Sequence, residues 1–279
     1  MTKKNFAPFY ESELADERSR ANPNLSGVRL TQREGRFPVR EVVIENEVGA
    51  RGMGRPCGRY ITISFPPLFT LNDVEEKEAI LLLQEYLLSL LPVQGGVLVV
   101  GLGNRHLTAD AIGPRTIEAL FASSAKRQLF CVAPGVSEQS GLESANHVTA
   151  LVRHLKPSCV MIIDALAARS KERLGCTIQL TNTGITPGSG ICKNKMGIIP
   201  KGLGVPVISI GVPTMMHLGG ALLELMETEA ESLPKDLYKK LSERHEYILP
   251  EGIEMAVENA TYLISRAISS LPSCSIPSP

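Results

Sequence analysis

Between residues 93 and 270, short apolar runs alternate with longer segments in which apolar residues recur every three or four positions. Short apolar runs are typical of buried strands, and the longer periodic segments are typical of amphipathic helices. Strands that alternate with helices predict a mostly parallel central sheet with helices on both faces, a three-layer α/β sandwich. The predicted strands lie in GVLVVGLG, RQLFCVAPG, PSCVMIIDAL, CTIQLTN and VPVISIGVP.

The clearest helix is predicted over residues 71–92, LNDVEEKEAILLLQEYLLSLLP. Asn72 or Thr70 can cap its N-terminus, and Pro92 ends it because proline cannot continue a helix. The same periodicity predicts helices in DAIGPRTIEALFASS, GLESANHVTALVRHL, TMMHLGGALLELMET and GIEMAVENATYLISRAISSL, and a shorter helix near residues 235–245.

The N-terminal part of the chain departs from this alternation. Residues 22–40 contain Pro, Gly and mixed charges and predict a loop, whereas VREVVIENEV and GRYITISF predict two β segments joined by a glycine-rich connection. We expect one domain over residues 14–279, in which residues 38–66 are an N-terminal β extension and residues 93–270 are a doubly wound core.

Composition narrows the class of protein. The chain has 29 basic and 29 acidic side chains, a balance that argues against binding to nucleic acid or to an anionic membrane. Its six cysteines form no C-x-x-C pair, which indicates a reducing compartment and no disulfide framework. The N-terminus has no apolar signal segment, and no apolar run reaches the ~20 residues of a membrane helix. We therefore expect a soluble, cytoplasmic protein.

Two acids follow predicted strands. Asp164 comes directly after the apolar run VMII, and Asp110 follows the loop after VVGLG and opens the next helix. The carboxyl ends of parallel strands meet at one edge of a sheet, so we expect both carboxylates there. Two neighbouring carboxylates can share a proton, and the pair can then activate water and protonate a leaving amine, which suits amide hydrolysis. The alternatives are a helix N-cap for Asp110 and bonds to loop amides for Asp164.

Two loops are candidates for binding substrate. The turn GLGN lacks the third glycine of a dinucleotide motif, so Gly103 and Asn104 are better explained by a backbone that approaches a peptide. The loop TGITPGSGICKNK offers flexible amides at Gly188 and Ser189 and two positive charges, Lys193 and Lys195. It is alternatively an ordinary surface loop.

A metal site is a second possibility for the same edge. His217 follows the strand VPVISIGVPT, and Asp110, Asp164 and His217 together offer two carboxylates and one imidazole. The alternative is that His217 lies in the first turn of a helix. No serine stands in a G-x-S-x-G motif, and no cysteine has a motif that marks it as a nucleophile.

Five segments together resemble the germination proteases of spore-forming bacteria: VVGLGN…T-x-DAIGP, APGV…Q-x-G-x-E, IDALAARS, NTGI-x-PGSGI…NK and LGVPVISIGVPT. The likeness runs from about residue 10 to residue 216. It implies an endopeptidase without a cofactor that begins the degradation of small acid-soluble spore proteins in the spore core, is made as a zymogen and assembles as a homotetramer. The essential aspartates of that family fall on Asp110 and Asp164, and its fold is shared with hydrogenase-maturation peptidases.

The resemblance also predicts a processing site in the N-terminal sequence. Substrates of the family are cut after Glu in a context like T-E-(F/I)-A-S-E, and SELADE has the same pattern. The resemblance therefore predicts self-cleavage between Glu13 and Leu14, with residues 1–13 as a propeptide. The alternative is a chance acidic stretch that forms a helix.

The chain also departs from the family. A histidine stands at 217 where the family has an acid, and Thr186 stands where it has a histidine. Arg169, Lys193 and Lys195 are candidates to attract acidic residues beside the scissile bond, and Arg169 can alternatively pair with Asp164. Two other hypotheses stay open: a metal-dependent maturation-type peptidase that uses His217, and a relative that binds spore proteins without cutting them.

Overall fold

The computed structural model describes residues 25–125, 127–136, 142–168, 171–186, 197–225 and 246–272. One mixed sheet runs through these residues in the order β1-β2-β3-β7-β8-β6-β4-β5, and β9 pairs with β8. The strands are β1 (Val28–Arg33), β2 (Val39–Ile44), β3 (Gly58–Ser64), β4 (Val97–Gly101), β5 (Leu129–Val132), β6 (Cys159–Ala168), β7 (Thr177–Thr181), β8 (Val207–His217) and β9 (Tyr247–Ile248).

The sheet has a parallel half and an antiparallel half. Strands β5, β4, β6 and β8 are parallel to one another. Strands β7, β3, β2 and β1 continue the sheet beyond β8 in antiparallel pairings. The predicted α/β class is confirmed, and the N-terminal β segments join the same sheet through the pairing of β3 with β7.

Helices cover both faces of the sheet. They are α1 (Glu47–Met53), α2 (Asp73–Leu90), α3 (Ile112–Phe121), α4 (Ser144–Leu155), α5 (Pro200–Leu203), α6 (Leu218–Leu225) and α7 (Ile253–Ser269). Side chains of a strand alternate between faces. On β6, Cys159, Met161 and Ile163 share a core cluster with α2, α3 and α7, whereas Val160 and Ile162 share one with α4. Within the described residues, no helix is both long and apolar enough to cross a membrane.

Helix α2 begins where its sequence places a cap. The Asn72 side chain accepts hydrogen bonds from Val74 N and Glu75 N at 3.0 and 3.1 Å, and the Glu75 carboxylate accepts from Asn72 N at 3.1 Å. This capping box satisfies backbone donors that the helix itself cannot. Asn72, rather than Thr70, is therefore the cap.

Several elements differ from the prediction, and α5 and β9 were not predicted at all. Strand β1 lies in a segment that was predicted to be a loop. The sequence does not predict it because its side chains are mostly exposed and carry no alternating pattern. Helix α1 occupies the glycine-rich connection, where Asn46 Oδ1 accepts from Val48 N and Gly49 N, both at 3.0 Å. Strand β8 continues through residues 214–217, which were predicted to be helical, because it pairs there with β6 and β9. The helix predicted near residues 235–245 lies outside the described residues.

Candidate active site

Asp164 lies near the carboxyl edge of the parallel half of the sheet. It is 8% exposed and stands opposite Gly211 of β8. On its other side, the N–H of Leu102, just past the end of β4, donates to the carbonyl of Ile163 at 2.8 Å. The chain that leaves β4 therefore starts its turn beside the residue before Asp164.

The turn after β4 folds back onto Asp110. Gly103 has φ +111°, and a β-carbon there would stand 2.0 Å from the Asp110 carbonyl oxygen and 3.0 Å from Asp110 Oδ1. Only glycine tolerates both the backbone angle and this approach. The N–H of Asn104 donates to Asp110 Oδ2 at 2.7 Å, and Asn104 Oδ1 accepts from His106 N at 3.0 Å.

A second glycine brings α3 against the same strands. A β-carbon on Gly113 would stand 2.2 Å from the Leu102 carbonyl oxygen and 2.7 Å from that of Ile163. A continuous series of contacts therefore runs from Asp110 through Gly103 and Leu102 to Ile163, which precedes Asp164. This series brings the turn of Asp110 to the edge of the sheet that carries Asp164.

Asp110 is not the N-cap of α3. That position belongs to Ala111, whose side chain cannot accept a hydrogen bond. Asp110 instead ends a 3₁₀ turn, Thr108–Asp110, and its N–H donates to the Leu107 carbonyl at 2.8 Å. The capping interpretation was wrong, and the Asp110 carboxylate binds the backbone of the β4 turn.

Thr214 is a residue of this site that the sequence interpretation missed. The register between β6 and β8 shifts between Leu166 and Ala167, which leaves Thr214 as the extra residue of a β-bulge on β8. Its Oγ1 donates to the carbonyl of Ala109, the residue before Asp110, at 2.6 Å. The available signal was Pro213, because proline inside a sheet is confined to edge strands, strand starts and bulges. The sequence pattern instead predicts that a helix starts at Thr214.

The register of β8 bears on the metal alternative. Met216 lies opposite Ala168, so His217 is five residues, about 16 Å of strand, beyond the level of Asp164. Metal-bound side-chain atoms lie about 2 Å from the metal, so this separation disfavours one site shared by Asp164 and His217. The side chain of His217 lies outside the described ones. Among the described side chains, no group of three or more His, Cys, Asp or Glu could hold a metal ion.

The described cysteines are poor candidates for a nucleophile. Burial raises the pKa of the Cys159 thiol to about 12, although nearby Arg127 acts in the opposite direction. Burial also raises the pKa of Cys131 and of Cys176. The thiolate is the reactive form, so a raised pKa makes these three thiols unreactive.

The glycine-rich loop after β7 is closed at its base. Ile185 and Ile198 exchange backbone hydrogen bonds of 3.1 and 2.8 Å, and Thr186 lies beside Gly197 at this base. Several predicted site residues lie outside the described residues and stay predictions: Glu13, Leu14, Arg169, Gly188, Ser189, Lys193 and Lys195. Gly103 and Asn104 are described and contact Asp110, and their binding of substrate likewise stays a prediction.

Comparison with known proteins shows sequence similarity over most of the chain. A family model described as germination protease matches residues 9–221. The germination protease of Caldanaerobacter subterraneus subsp. tengcongensis is 34% identical over 292 aligned residues, which cover 90% of this chain and 89% of that protein. The germination protease of Clostridium tetani is 38% identical over 224 residues, which cover 75% of this chain and 67% of the relative.

Two solved structures are more remote. A [NiFe] hydrogenase maturation protease, HycI from Thermococcus kodakarensis, aligns with a TM-score of 0.40 and 16% identity, over 66% of this chain and 98% of that one. The hydrogenase maturating endopeptidase HybD from E. coli aligns with a TM-score of 0.29 and 21% identity, over 52% of this chain and 93% of that one.

Proposed function

The chain belongs to the germination protease family and is a peptidase, and we propose that it cleaves peptide bonds with a water molecule activated by Asp110 and Asp164. The observation that supports this most is the series of contacts from Asp110 through Gly103 and Leu102 to the residue before Asp164. It supports a common edge of the sheet for two acids that are 54 positions apart in the sequence.

The reaction needs one carboxylate and one carboxylic acid. The carboxylate takes a proton from water as the oxygen attacks the carbonyl carbon, and a tetrahedral intermediate forms. The carboxylic acid then gives its proton to the leaving amine as the C–N bond breaks.

We propose small acid-soluble spore proteins as the substrates, with cleavage after Glu at the start of germination. Family membership supports this substrate class. Arg169, Lys193 and Lys195 supply the positive charge that acidic residues beside the scissile bond require. The spore core is the compartment that these substrates imply.

We further propose that the chain is a zymogen that cleaves itself between Glu13 and Leu14, and that it assembles as a tetramer. The sequence SELADE carries the same order of acid, large apolar residue, alanine and acid as the substrate pattern. N-terminal sequencing of protein aged at mildly acidic pH tests this. A new N-terminus at Leu14 is expected, and an intact Met1 or a cut elsewhere contradicts it.

The proposal is tested with a peptide that carries T-E-I-A-S-E and with the variants Asp110→Asn and Asp164→Asn. Loss of an acid or base typically slows turnover about 10²- to 10⁴-fold, so both variants are expected to be nearly inactive while folded. Asp73→Asn, at an exposed position of α2, controls for loss of a carboxylate elsewhere and is expected to cut at the wild-type rate. Wild-type rates in either site variant contradict the aspartate mechanism. A wild-type protein that never cuts the peptide, even after removal of residues 1–13, indicates a relative that only binds.

A further inference from the structure

We infer that Thr214 is a positioning residue, which holds the turn of Asp110 over the strand that carries Asp164. This inference rests on the proposed role of Asp110. Thr214 is 1% exposed, so its hydroxyl works inside the protein and not on a substrate at the surface. The hydroxyl donates to the Ala109 carbonyl at 2.6 Å, and the two residues are 105 positions apart in the chain.

The arrangement of strands shows what this hydrogen bond does. Strand β6, which carries Asp164, lies between β4 and β8 in the sheet. The Asp110 turn is held from the β4 side by the bond from Asn104 N and by the close approach of Gly103. Thr214 holds the same turn from the β8 side. The turn is therefore fastened to both neighbours of β6 and spans the strand of the partner acid.

The β-bulge makes this second attachment possible. A strand in regular register would continue its alternation past Leu166, whereas the extra residue on β8 changes the direction of the side chain at 214. Bulges are often found beside active sites, where they redirect a side chain. Here the redirected side chain is a hydrogen-bond donor, and the atom that it meets belongs to the backbone directly before Asp110.

Loss of this bond is expected to affect the chemical step more than binding. With one attachment gone, the Asp110 turn is held from β4 alone, and the carboxylate can move relative to Asp164. A misplacement of about 1 Å can lower turnover about 100-fold. Because Thr214 is buried, we expect it not to contact the peptide, so KM is expected to stay within about twofold while kcat falls about 10- to 100-fold.

The test compares Thr214→Val, which keeps the shape and removes the hydroxyl, with Thr214→Ser, which keeps the hydroxyl. Both are measured for kcat and KM on the T-E-I-A-S-E peptide. Thr116→Val is the matched control, because Thr116 is also fully buried and its hydroxyl donates to the Ile112 carbonyl of its own helix at 2.8 Å. We expect Thr214→Val to lose kcat, Thr214→Ser to regain it to within about threefold, and Thr116→Val to keep it.

Three results would overturn the inference. They are a Thr214→Val enzyme with kcat within twofold of wild type, a Thr116→Val enzyme that loses the same factor, and a Thr214→Ser enzyme as impaired as the valine variant. If Thr214→Val does not fold, Thr214→Cys keeps a weaker donor of similar size, and its kcat is expected to fall about three- to tenfold below that of wild type. A folded cysteine variant with full kcat also counts against the inference.

A double variant separates this inference from the proposed function. If Thr214 acts through Asp110, then Thr214→Val in an Asp110→Asn background causes no further loss of turnover, because the group it positions is already gone. An active Asp110→Asn enzyme contradicts the proposed function itself. An inactive Asp110→Asn enzyme together with a fully active Thr214→Val enzyme contradicts only the role of Thr214.

Discussion

The backbone of Gly113 lies so close to the carbonyl of Ile163 that a β-carbon on Gly113 would stand 2.7 Å from that oxygen. This contact joins the first turn of α3 to the strand that carries Asp164. A β-carbon on Gly101, at the end of β4, would in turn stand 2.3 Å from the Gly113 carbonyl oxygen. Backbone meets backbone at each of these points, so a larger residue has no flexible side chain to push aside.

We therefore expect Gly113→Ala to lower the free energy of unfolding by about 2 to 3 kcal/mol, since overpacking against backbone forces the elements apart. Peptidase activity is expected to fall as well, because α3 follows directly on Asp110. Gly202→Ala in α5 is the control: the nearest atom to a β-carbon there is Ile199 Cγ1 at 3.7 Å, an ordinary contact. Denaturant unfolding measures the stability of both variants. A Gly113→Ala protein as stable as wild type would contradict the close approach of the Gly113 backbone to the Ile163 carbonyl.

The capping box of α2 gives a prediction about stability alone. Asn72→Ala removes the acceptor for two backbone N–H groups and is expected to cost about 1 kcal/mol. Asn72→Ser keeps a capping oxygen and is expected to recover most of that loss. Thermal unfolding measures both, while kcat is expected to stay unchanged. Equal stability of the alanine and serine variants would show that the cap is not what stabilises this end of α2.

Removal of the Ser209 hydroxyl is expected to affect stability in the opposite direction from removal of the Asn72 cap. Its Oγ is buried in β8 and has no hydrogen-bond partner among the described residues. A buried hydroxyl without a partner is unfavourable, so Ser209→Ala is expected to leave the free energy of unfolding unchanged or to raise it by up to about 1 kcal/mol. Thr116→Val removes a buried hydroxyl that has a partner and is expected to lose about 1 kcal/mol. A clear loss of stability in Ser209→Ala would reveal a partner for this hydroxyl.

Thiol labelling tests the environments of the described cysteines. Cys57 is exposed, whereas Cys159 is buried with a pKa of about 12. Burial disfavours the Cys159 thiolate and shields the thiol from the reagent, so iodoacetamide is expected to modify Cys57 long before Cys159. Peptide mapping by mass spectrometry follows each cysteine separately, and Cys57→Ser removes the fast reaction. Rapid labelling of Cys159 in folded protein would mean that this part of the core opens.

Chelation distinguishes the aspartate mechanism from the metal-dependent one. The register of β8 carries His217 far beyond the level of Asp164, so we expect cleavage of the peptide to persist after dialysis against EDTA. His217→Ala is expected to retain activity for the same reason. Loss of activity on chelation, restored by a divalent cation, would contradict the metal-free mechanism.

Local periodicity explains which elements could be predicted. Helices α2, α3, α4 and α7 and the strands from β4 to β7 carry strong patterns of apolar residues, and each lies where the pattern indicates. Strand β1 carries no such pattern, because among the described strands it forms the outer edge of the sheet and pairs with β2 alone. The pairing of β3 with β7 joins segments more than a hundred residues apart, and periodicity within either segment cannot reveal it.

The residues of the candidate site also divide into those that the sequence could predict and those that it could not. Asp110 and Asp164 could be predicted, because each follows a recognisable strand and the ends of parallel strands share an edge. Thr214 could not, because its role depends on a shift of register between two strands and on a hydrogen bond across 105 positions. The extension of β8 was missed for a related reason, since pairing with β6 and β9 overrides the helical pattern of those residues.

The order of strands also sets the distance that the segment before β1 must span to bring the Glu13–Leu14 bond to Asp164. Across the sheet, five strand spacings separate β1 from β6. Along the strand direction, the registers place Val28 four residues before the level of Asp164. The two displacements, combined at right angles, give a distance of about 27 Å between Val28 and Asp164. The 14 residues from Leu14 to Val28 can extend to about 46 Å. The proposed Glu13–Leu14 cleavage site is thus within reach of Asp110 and Asp164 of the same chain, so the length of the segment is compatible with the proposed self-cleavage inside one molecule.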